Sequence, residues 1–489
     1  MENIFKGLKP ERLWFYFGEI CKIPHASHKE QQLAAWIMEQ GKSFGLETIT
    51  DAAGNVLARK PATTDMEKLP VVILQSHMDM VCEKNSETDH NFDTDPIRPR
   101  IEGEWVKANG TTLGADDGIG VAAMLAIMES SNLVHGPLEF LFTSDEETGL
   151  TGAEGLQADF IKGRILLNLD SEDDGELFVG CAGGKDTSIE LPFIKDSFPA
   201  GYKPVRIDVN GLKGGHSGDD INKGLGNANK ILNRLLWEAS DTFDLRLSVF
   251  DGGNLRNAIA REAFAIVAVP SNKVKAFENY VSSYEAIAKA ELKSTEPALK
   301  VALTGTDTPS HCIDSISLQN LINSLYACPH GVIAMSADIP GFVETSTNLA
   351  SVKTKDDHFL IGTSQRSSVA TSKSDIANMV ASVFRLAGGK VTHGHGYPGW
   401  APNSNSPVMH LTKQSYTNLF GQEPKVLVIH AGLECGLIGE KFPGMDMISY
   451  GPTIKGAHSP DERLLISTVS KFWELTLEVL KNIPPKQTT

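Results

Sequence analysis

Residues 71–80, VVILQSHMDM, set an apolar run, Val71–Leu74, directly before His77 and Asp79, two residues of types that bind or orient metal ions. The run reads as a β-strand. The same pattern recurs downstream. Pro137–Phe142 is strand-like and leads into Asp145-Glu146-Glu147, and Ile165–Leu169 is strand-like and ends at Asp170. Between the first two strands, Gly118–Met128 reads as helical. Strands alternating with helices imply an α/β fold with a mostly parallel central sheet and helices on its faces. In such sheets ligands gather beyond the carboxyl ends of strands, which links His77, Glu147 and Asp170 despite their distance in sequence.

Outward from this core, Ser27-His28-Lys29-Glu30 has the spacing of a capping box. It precedes Leu33, Trp36, Ile37 and Phe44 at helical intervals, with Gly45 as the stop. Past residue 183 the pattern breaks at Gly183-Gly184, Pro199, Gly201 and Pro204. A new set of elements follows: a strand from Val205, a helix at Asn227–Ala239, strands at Leu245–Phe250 and Ala263–Val269, and a long helix at Val274–Leu292. This set predicts an inserted α+β domain. GHGYPGWAP, residues 394–402, reads as a second hinge; beyond it lie strands at Val426–Ile429 and Met447–Tyr450 and a terminal helix, Asp461–Leu480. The expected organisation is a catalytic domain in two parts, 1–186 and 399–489, around an inserted lid and dimerisation domain, 187–398.

Bulk properties narrow the partners. The chain's 489 residues exceed one ordinary core, and 41% hydrophobic with 22% charged residues is a soluble globular composition. A net charge of −16 disfavours nucleic acid and anionic membrane surfaces. No apolar run approaches the roughly 20 residues that span a bilayer. Residues 1–20 lack the basic start and apolar core of a signal peptide, and the six cysteines form no CxxC pair. Together these predict reduced thiols and a cytoplasmic protein.

Five candidate metal ligands stand out: His77, Asp116, Glu147, Asp170 and His458. Two imidazoles and three carboxylates suffice for two divalent cations that share one ligand. Each has an ordinary reading when taken singly. A His-x-Asp pair ends many strands, Asp116-Asp117 could cap a helix, Asp145–Glu147 could be a solvated acidic loop, and His458 is one of fourteen histidines. Asp116 is preferred to Asp117 as the shared ligand, although spacing alone does not separate them. Asp79 is placed to hold the second ring nitrogen of His77. Glu146 and Glu147 repel each other unless cations or a shared proton intervene, so one can coordinate while the other moves a proton. Asp170 at the tip of a buried strand needs a partner, whereas the acidic run after it, Ser171–Gly175, reads as solvated. His393 and His395 form a rival pair in the hinge with no carboxylate beside them. Two cations outweigh three carboxylates in charge, and the excess would acidify a bridging water and polarise a carbonyl oxygen. Glu146 would carry that water's proton to a leaving amine.

These residues, with GTTLGADDGIG, GLKGGHSG, GLGNANK, LRNAIAREA, HAGLECG and GPTIKGAHSPDE, cover nearly the whole chain. Together they resemble the co-catalytic zinc aminoacylase/carboxypeptidase family, most closely its cytosolic aminoacyl-histidine dipeptidases. The resemblance implies that Asp116 bridges two metals, His77 and Asp170 completing one site and Glu147 and His458 the other. Asp79 then orients His77, and Glu146 is the general base. It further implies a homodimer built through the lid, His216 reaching toward the scissile carbonyl, Asn257 touching substrate, and Arg366 binding the terminal carboxylate. Gly432 would lie in a substrate loop where the backbone approaches closely. One departure is Ala260, where many relatives have Pro after Asn-x-Ile. The implied activity is metallopeptidase hydrolysis of unblocked dipeptides, preferentially Xaa-His including β-Ala-His (carnosine), through a metal-bridging water activated by Glu146. The implied cofactors are two divalent ions per chain, zinc first, with manganese or cobalt also suited to an oxygen-rich site. Two other readings stand beside it: an N-acyl-amino-acid deacylase with the same chemistry, and a non-catalytic dimeric binding protein of the same fold. The presence of Glu146 with all five ligands argues against the second.

Overall fold

The computed structural model describes residues 4–337, 339, 341–430 and 432–485. Contacts along the chain divide it into two units: Met1–Gly180 with Trp400–Val428 and Leu433–Thr489, and Cys181–Gly399 with Ile429–Gly432. The expected junctions at 186/187 and 398/399 compare with divisions at 180/181 and 399/400. Ile429–Gly432, placed by the sequence reading in the last segment, groups with the second unit.

The first unit is built on an eight-stranded sheet. Its order is Glu47–Thr50, Val56–Lys60, Leu138–Thr143, Val72–His77, Ile165–Asn168, Asp446–Ser449, Glu176–Cys181 and Lys425–Ile429. The four strands from Leu138–Thr143 to Asp446–Ser449 are parallel neighbours. Antiparallel pairs flank them. In register, His77 lies opposite Thr143 and Gln75 opposite Asn168. The three strands therefore end together, and His77, the Glu146-Glu147 turn and Asp170 leave the sheet at one edge.

The helix Ala115–Glu129 is buried almost all round, so its sequence is apolar with no polar face. Gly120 permits its closeness to the sheet, because a Cβ there would stand 2.4 Å from Ser76 Oγ. Lys60 closes its far end, donating to the carbonyl oxygens of Ile127 (2.6 Å), Met128 (3.0 Å) and Ser130.

Two local expectations are corrected. Ser27–Glu30 is not a capping box: Glu30 is the N-cap residue of helix Gln31–Ser43 and makes no side-chain cap bond. Ser27 Oγ donates instead to Asp79 Oδ2 at 2.7 Å, a tertiary partner that outcompetes the local one. The terminal helix begins later than expected, at Ile466. Arg463–Leu465 is a short strand that pairs with Trp105–Ala108 in a four-stranded sheet with Pro99–Glu102 and Ile454–Lys455. His458 thus sits in the connection between two paired strands.

The second unit carries a nine-stranded antiparallel sheet. Eight strands run in the order Lys300–Gly305, Tyr202–Asn210, Ala263–Pro270, Arg246–Gly252, Val343–Thr354, His358–Ser367, Gly183–Pro192 and Lys390–His393, and Gly331–Met335 pairs off this path with Val343–Thr354. Helices Ala228–Phe243, Val274–Glu291, Ser315–Ala327 and Ala370–Leu386 supply apolar faces to its core. Among the described residues no helix is long and apolar enough to cross a membrane, and none of the six cysteines is in a disulfide.

Candidate metal centre

Asp116 stands between two histidines. His77 Nε2 lies 3.1 Å from its Oδ1, and His458 Nε2 lies 3.2 Å from its Oδ2. Asp170 Oδ1 approaches His77 Nε2 at 3.4 Å, and Glu147 Oε2 approaches His458 Nε2 at 3.0 Å. The five residues form two groups able to hold a cation, His77–Asp116–Asp170 and Asp116–Glu147–His458, which share Asp116. Neighbouring Asp117 does something else. Its Oδ1 accepts the Gly120 N–H at 3.2 Å, a cap-like bond inside the helix start, and Asp117 is in none of the groups of potential ligands among the described residues. The Asp116–Asp117 peptide is cis.

Asp79 ties the centre together. Its main-chain oxygen and Oδ1 lie 3.0 Å and 3.4 Å from His77 Nδ1. Its carboxylate also accepts the N–H groups of Glu146 (2.9 Å) and Glu147 (3.1 Å), which open the short helix Glu146–Gly149. Glu146 joins His77 and Glu147 in a further group of potential ligands.

The electrostatics describe a site with an excess of buried acids. Burial pushes Asp170 up to about 7, despite His77 beside it. Burial, and then the charges of Asp170, Glu147 and Glu434, hold Glu146 well above the usual carboxylate range. Burial alone would lower His77, but Asp170, Asp116 and Asp79 outweigh it and hold it well above an ordinary histidine. Hydrogen bonds to the Asp116 and Glu147 carboxylates raise His458 to about 11. Burial would raise Asp79, yet His77 and the Glu146 N–H bring it down to about 2. Glu147 Oε1 is buried with no hydrogen-bond partner. Clustered carboxylates, imidazoles pulled toward protonation and an orphaned buried oxygen are what two divalent cations would relieve, so the donor set fits them.

Sequence reasoning missed the supports around this centre. Glu462, 2% exposed, accepts the N–H groups of Leu113 (2.7 Å), Gly114 (3.1 Å), Ala115 (2.7 Å) and Asp116 (3.3 Å). Glu434, fully buried, accepts from Gln75 Nε2 (2.6 Å) and Thr143 Oγ1 (2.7 Å), and Asn168 Nδ2 donates to Gln75 Oε1 at 2.7 Å. This network crosses the three strands that end at the site. Glu462 and Glu434 lie inside GPTIKGAHSPDE and HAGLECG, which was the available signal. The run Ser171–Gly175 is not simply solvated. Glu172 is pushed up to about 8 by burial and the nearby Asp116 charge, Asp173 pairs with Lys455, and Asp174 pairs with Lys471 at 2.7 Å. His393 and His395 appear in no group of potential ligands among the described residues; His393 Nδ1 meets Thr187 Oγ1 at 2.9 Å.

Within the second unit the remaining candidates gather around Arg366. Its Nη1 donates to Tyr397 OH at 3.0 Å, its Nη2 lies 3.4 Å from His216 Nε2, and its Nε is buried without a partner. A Cβ on Gly432 would meet the Tyr397 ring at 2.8 Å. Asn257 is exposed, and its carbonyl accepts the Ser217 N–H at 2.8 Å, holding the loop that carries His216.

The sequence model of peptidase family M20/M25/M40 matches residues 73–482. The chain is 47% identical to the cytosol non-specific dipeptidase of Escherichia coli K12, over 98% of this chain and 99% of that protein. Its structure is similar to that of aminoacylhistidine dipeptidase from Vibrio alginolyticus, with a TM-score of 0.91 and 44% identity over 99% and 98% of the two chains. A tripeptidase from Staphylococcus aureus shares the fold alone, with a TM-score of 0.58 and 18% identity over 97% and 99% of the two chains.

Proposed function

Because the chain belongs to peptidase family M20/M25/M40, we propose that it is a metal-dependent dipeptidase that prefers Xaa-His substrates, β-Ala-His among them. The observation that carries the chemistry is Asp116, whose two oxygens face His77 and His458. His77 and Asp170 would hold one cation and Glu147 and His458 the other, with Asp116 between; zinc suits this set, and manganese or cobalt are compatible. Bound there, the ions would supply the Lewis acidity that activates water and polarises the peptide carbonyl.

The remaining steps belong to the protein. Glu146 takes a proton from the attacking water and returns it to the departing amine, and its elevated affinity for protons suits that task. Asp79 fixes the His77 ring through Nδ1, leaving Nε2 directed at the site. His216 contacts the scissile carbonyl, Asn257 and the Gly432 backbone contact substrate, and the Arg366 fork takes the terminal carboxylate. The histidine preference draws support from the similarity to the aminoacylhistidine dipeptidase of Vibrio alginolyticus.

We also propose a homodimer in the cytoplasm, formed through the second unit. Strand Gly331–Met335 has one partner among the described strands and exposes Val332, Ile333 and Met335, with Met379 of the adjoining helix also exposed. An apolar edge of this kind calls for a second strand.

A dipeptide panel with and without chelator tests the reading. Turnover of Xaa-His and β-Ala-His above other dipeptides, abolished by chelator and restored by zinc, is expected. Faster cleavage of N-acetyl-His than of Xaa-His would replace it with the deacylase reading.

A further inference from the structure

The segment before helix Gln31–Ser43 reaches into the centre at two points. Ser27 Oγ donates to Asp79 Oδ2 at 2.7 Å, and Glu30 Oε1 accepts the Asp145 N–H at 3.0 Å. Both lead to the same turn. Asp79, 1% exposed, receives the N–H groups of Glu146 and Glu147 and faces His77 Nδ1. Of the groups that bond its carboxylate, Ser27 alone comes from outside the two strand ends. Without that hydroxyl, Oδ2 would keep only the Glu147 N–H.

Asp145 needs a comparable restraint. Its φ of +52° lies in the left-handed region, which few residues besides glycine, asparagine and aspartate visit. Glu30 holds its N–H, while Thr148 and Thr151 hold its carboxylate, Thr151 at 2.6 Å. This bend turns the chain from strand Leu138–Thr143 into Glu146–Gly149 and sets the direction in which Glu146 leaves the backbone.

We infer that Ser27 and Glu30 are positioning residues for catalysis. Ser27 fixes Asp79, Glu30 fixes Asp145, and the pair sets where the Glu146 carboxylate stands relative to His77. The inference rests on the reading of Glu146 as proton carrier, so Glu146→Gln is measured in parallel. In the metal-loaded full chain, well below its unfolding temperature, Ser27→Ala lowers kcat about tenfold and metal affinity in chelator competition by a similar factor, with KM changed less than about twofold. Ser27→Thr, which keeps the hydroxyl, restores both. Glu30→Gln, which keeps an acceptor oxygen, stays near the parent, whereas Glu30→Ala behaves like Ser27→Ala. Should Ser27→Ala not fold, the Glu30 pair carries the same test. A Ser27→Ala enzyme with parental kcat and metal affinity, and only a lower Tm, overturns the inference. Full activity in Glu146→Gln overturns the base assignment instead.

Discussion

Glu462 accepts the backbone N–H of Asp116 across 346 positions of sequence, and the same carboxylate takes the three N–H groups before it. The loop that presents Asp116 is therefore held by the segment that presents His458. Glu462→Ala leaves four backbone donors, three of them buried, without that acceptor. The expected cost is about 2–3 kcal/mol of stability. Metal affinity should fall roughly 10- to 100-fold, as when outer supports of ligands are lost. Denaturant melts and chelator competition measure the two. Parental metal affinity in a folded Glu462→Ala protein would show that the loop holds its shape unaided.

Tyr397 and Gly432 bear on the same guanidinium. Tyr397→Phe removes the oxygen 3.0 Å from Arg366 Nη1, and Gly432→Ala pushes a methyl into the Tyr397 ring. Both are expected to raise KM for free dipeptides about 5- to 20-fold, the size of one lost charge-assisted bond. Metal content should stay at the parental level. Dipeptide amides, which lack the terminal carboxylate, should lose much less. An equal loss on acids and amides would place Arg366 in some other role.

His330 is expected to give the second unit a pH-dependent stability. Burial first, then the charge of Lys230, depresses it to about 4, and its Nδ1 accepts the Leu349 N–H at 3.3 Å. An unfolded histidine takes its proton near pH 6.5, so the contribution is complete above that value and is lost as pH falls toward 4. Between pH 7.5 and pH 5 the loss should be about 2 kcal/mol. His330→Gln removes that slope. Stability curves of parent and variant at the two pH values check it, and parallel pH dependence in both would refute it.

How much was legible follows from what kind of contact each residue makes. Parallel strands advertise themselves as short apolar runs, and a polar residue after each run marks the sheet's ligand-binding edge. That is why His77, Glu147 and Asp170 could be linked before any geometry. Asp116 and Asp117 could not be told apart, because the carboxylate that faces His77 and His458 and the one that accepts the Gly120 N–H share the start of one helix. Ser27 and Glu30 misled for a related reason. Their three-residue spacing satisfies a local rule, while their bonds go to Asp79 and Asp145. Arg463–Leu465 reads as helix because it adjoins the apolar period of Ile466–Lys481, and only its distant partner, Trp105–Ala108, makes it a strand. Non-local partners of this kind leave no periodicity in the sequence.

The exposed edge strand makes the last prediction. In Gly331–Met335, Val332 is 36%, Ile333 41% and Met335 48% exposed, and Met379 at 47% lies beside them. A lone protein would be expected to guard such an edge with charge or proline. Pairing with the same strand of a second chain would bury these side chains and add backbone hydrogen bonds along the strand's other side. Ile333→Glu places a charge at the centre of that contact and should convert a dimer to monomers in sedimentation velocity at micromolar concentration, with the fold kept by circular dichroism. If His216 makes its proposed substrate contact across the dimer, kcat/KM falls with the dimer fraction. If it acts within one chain, activity per protomer survives. A variant that remains dimeric would exclude this strand as the interface, since a buried unpaired carboxylate there could not be tolerated.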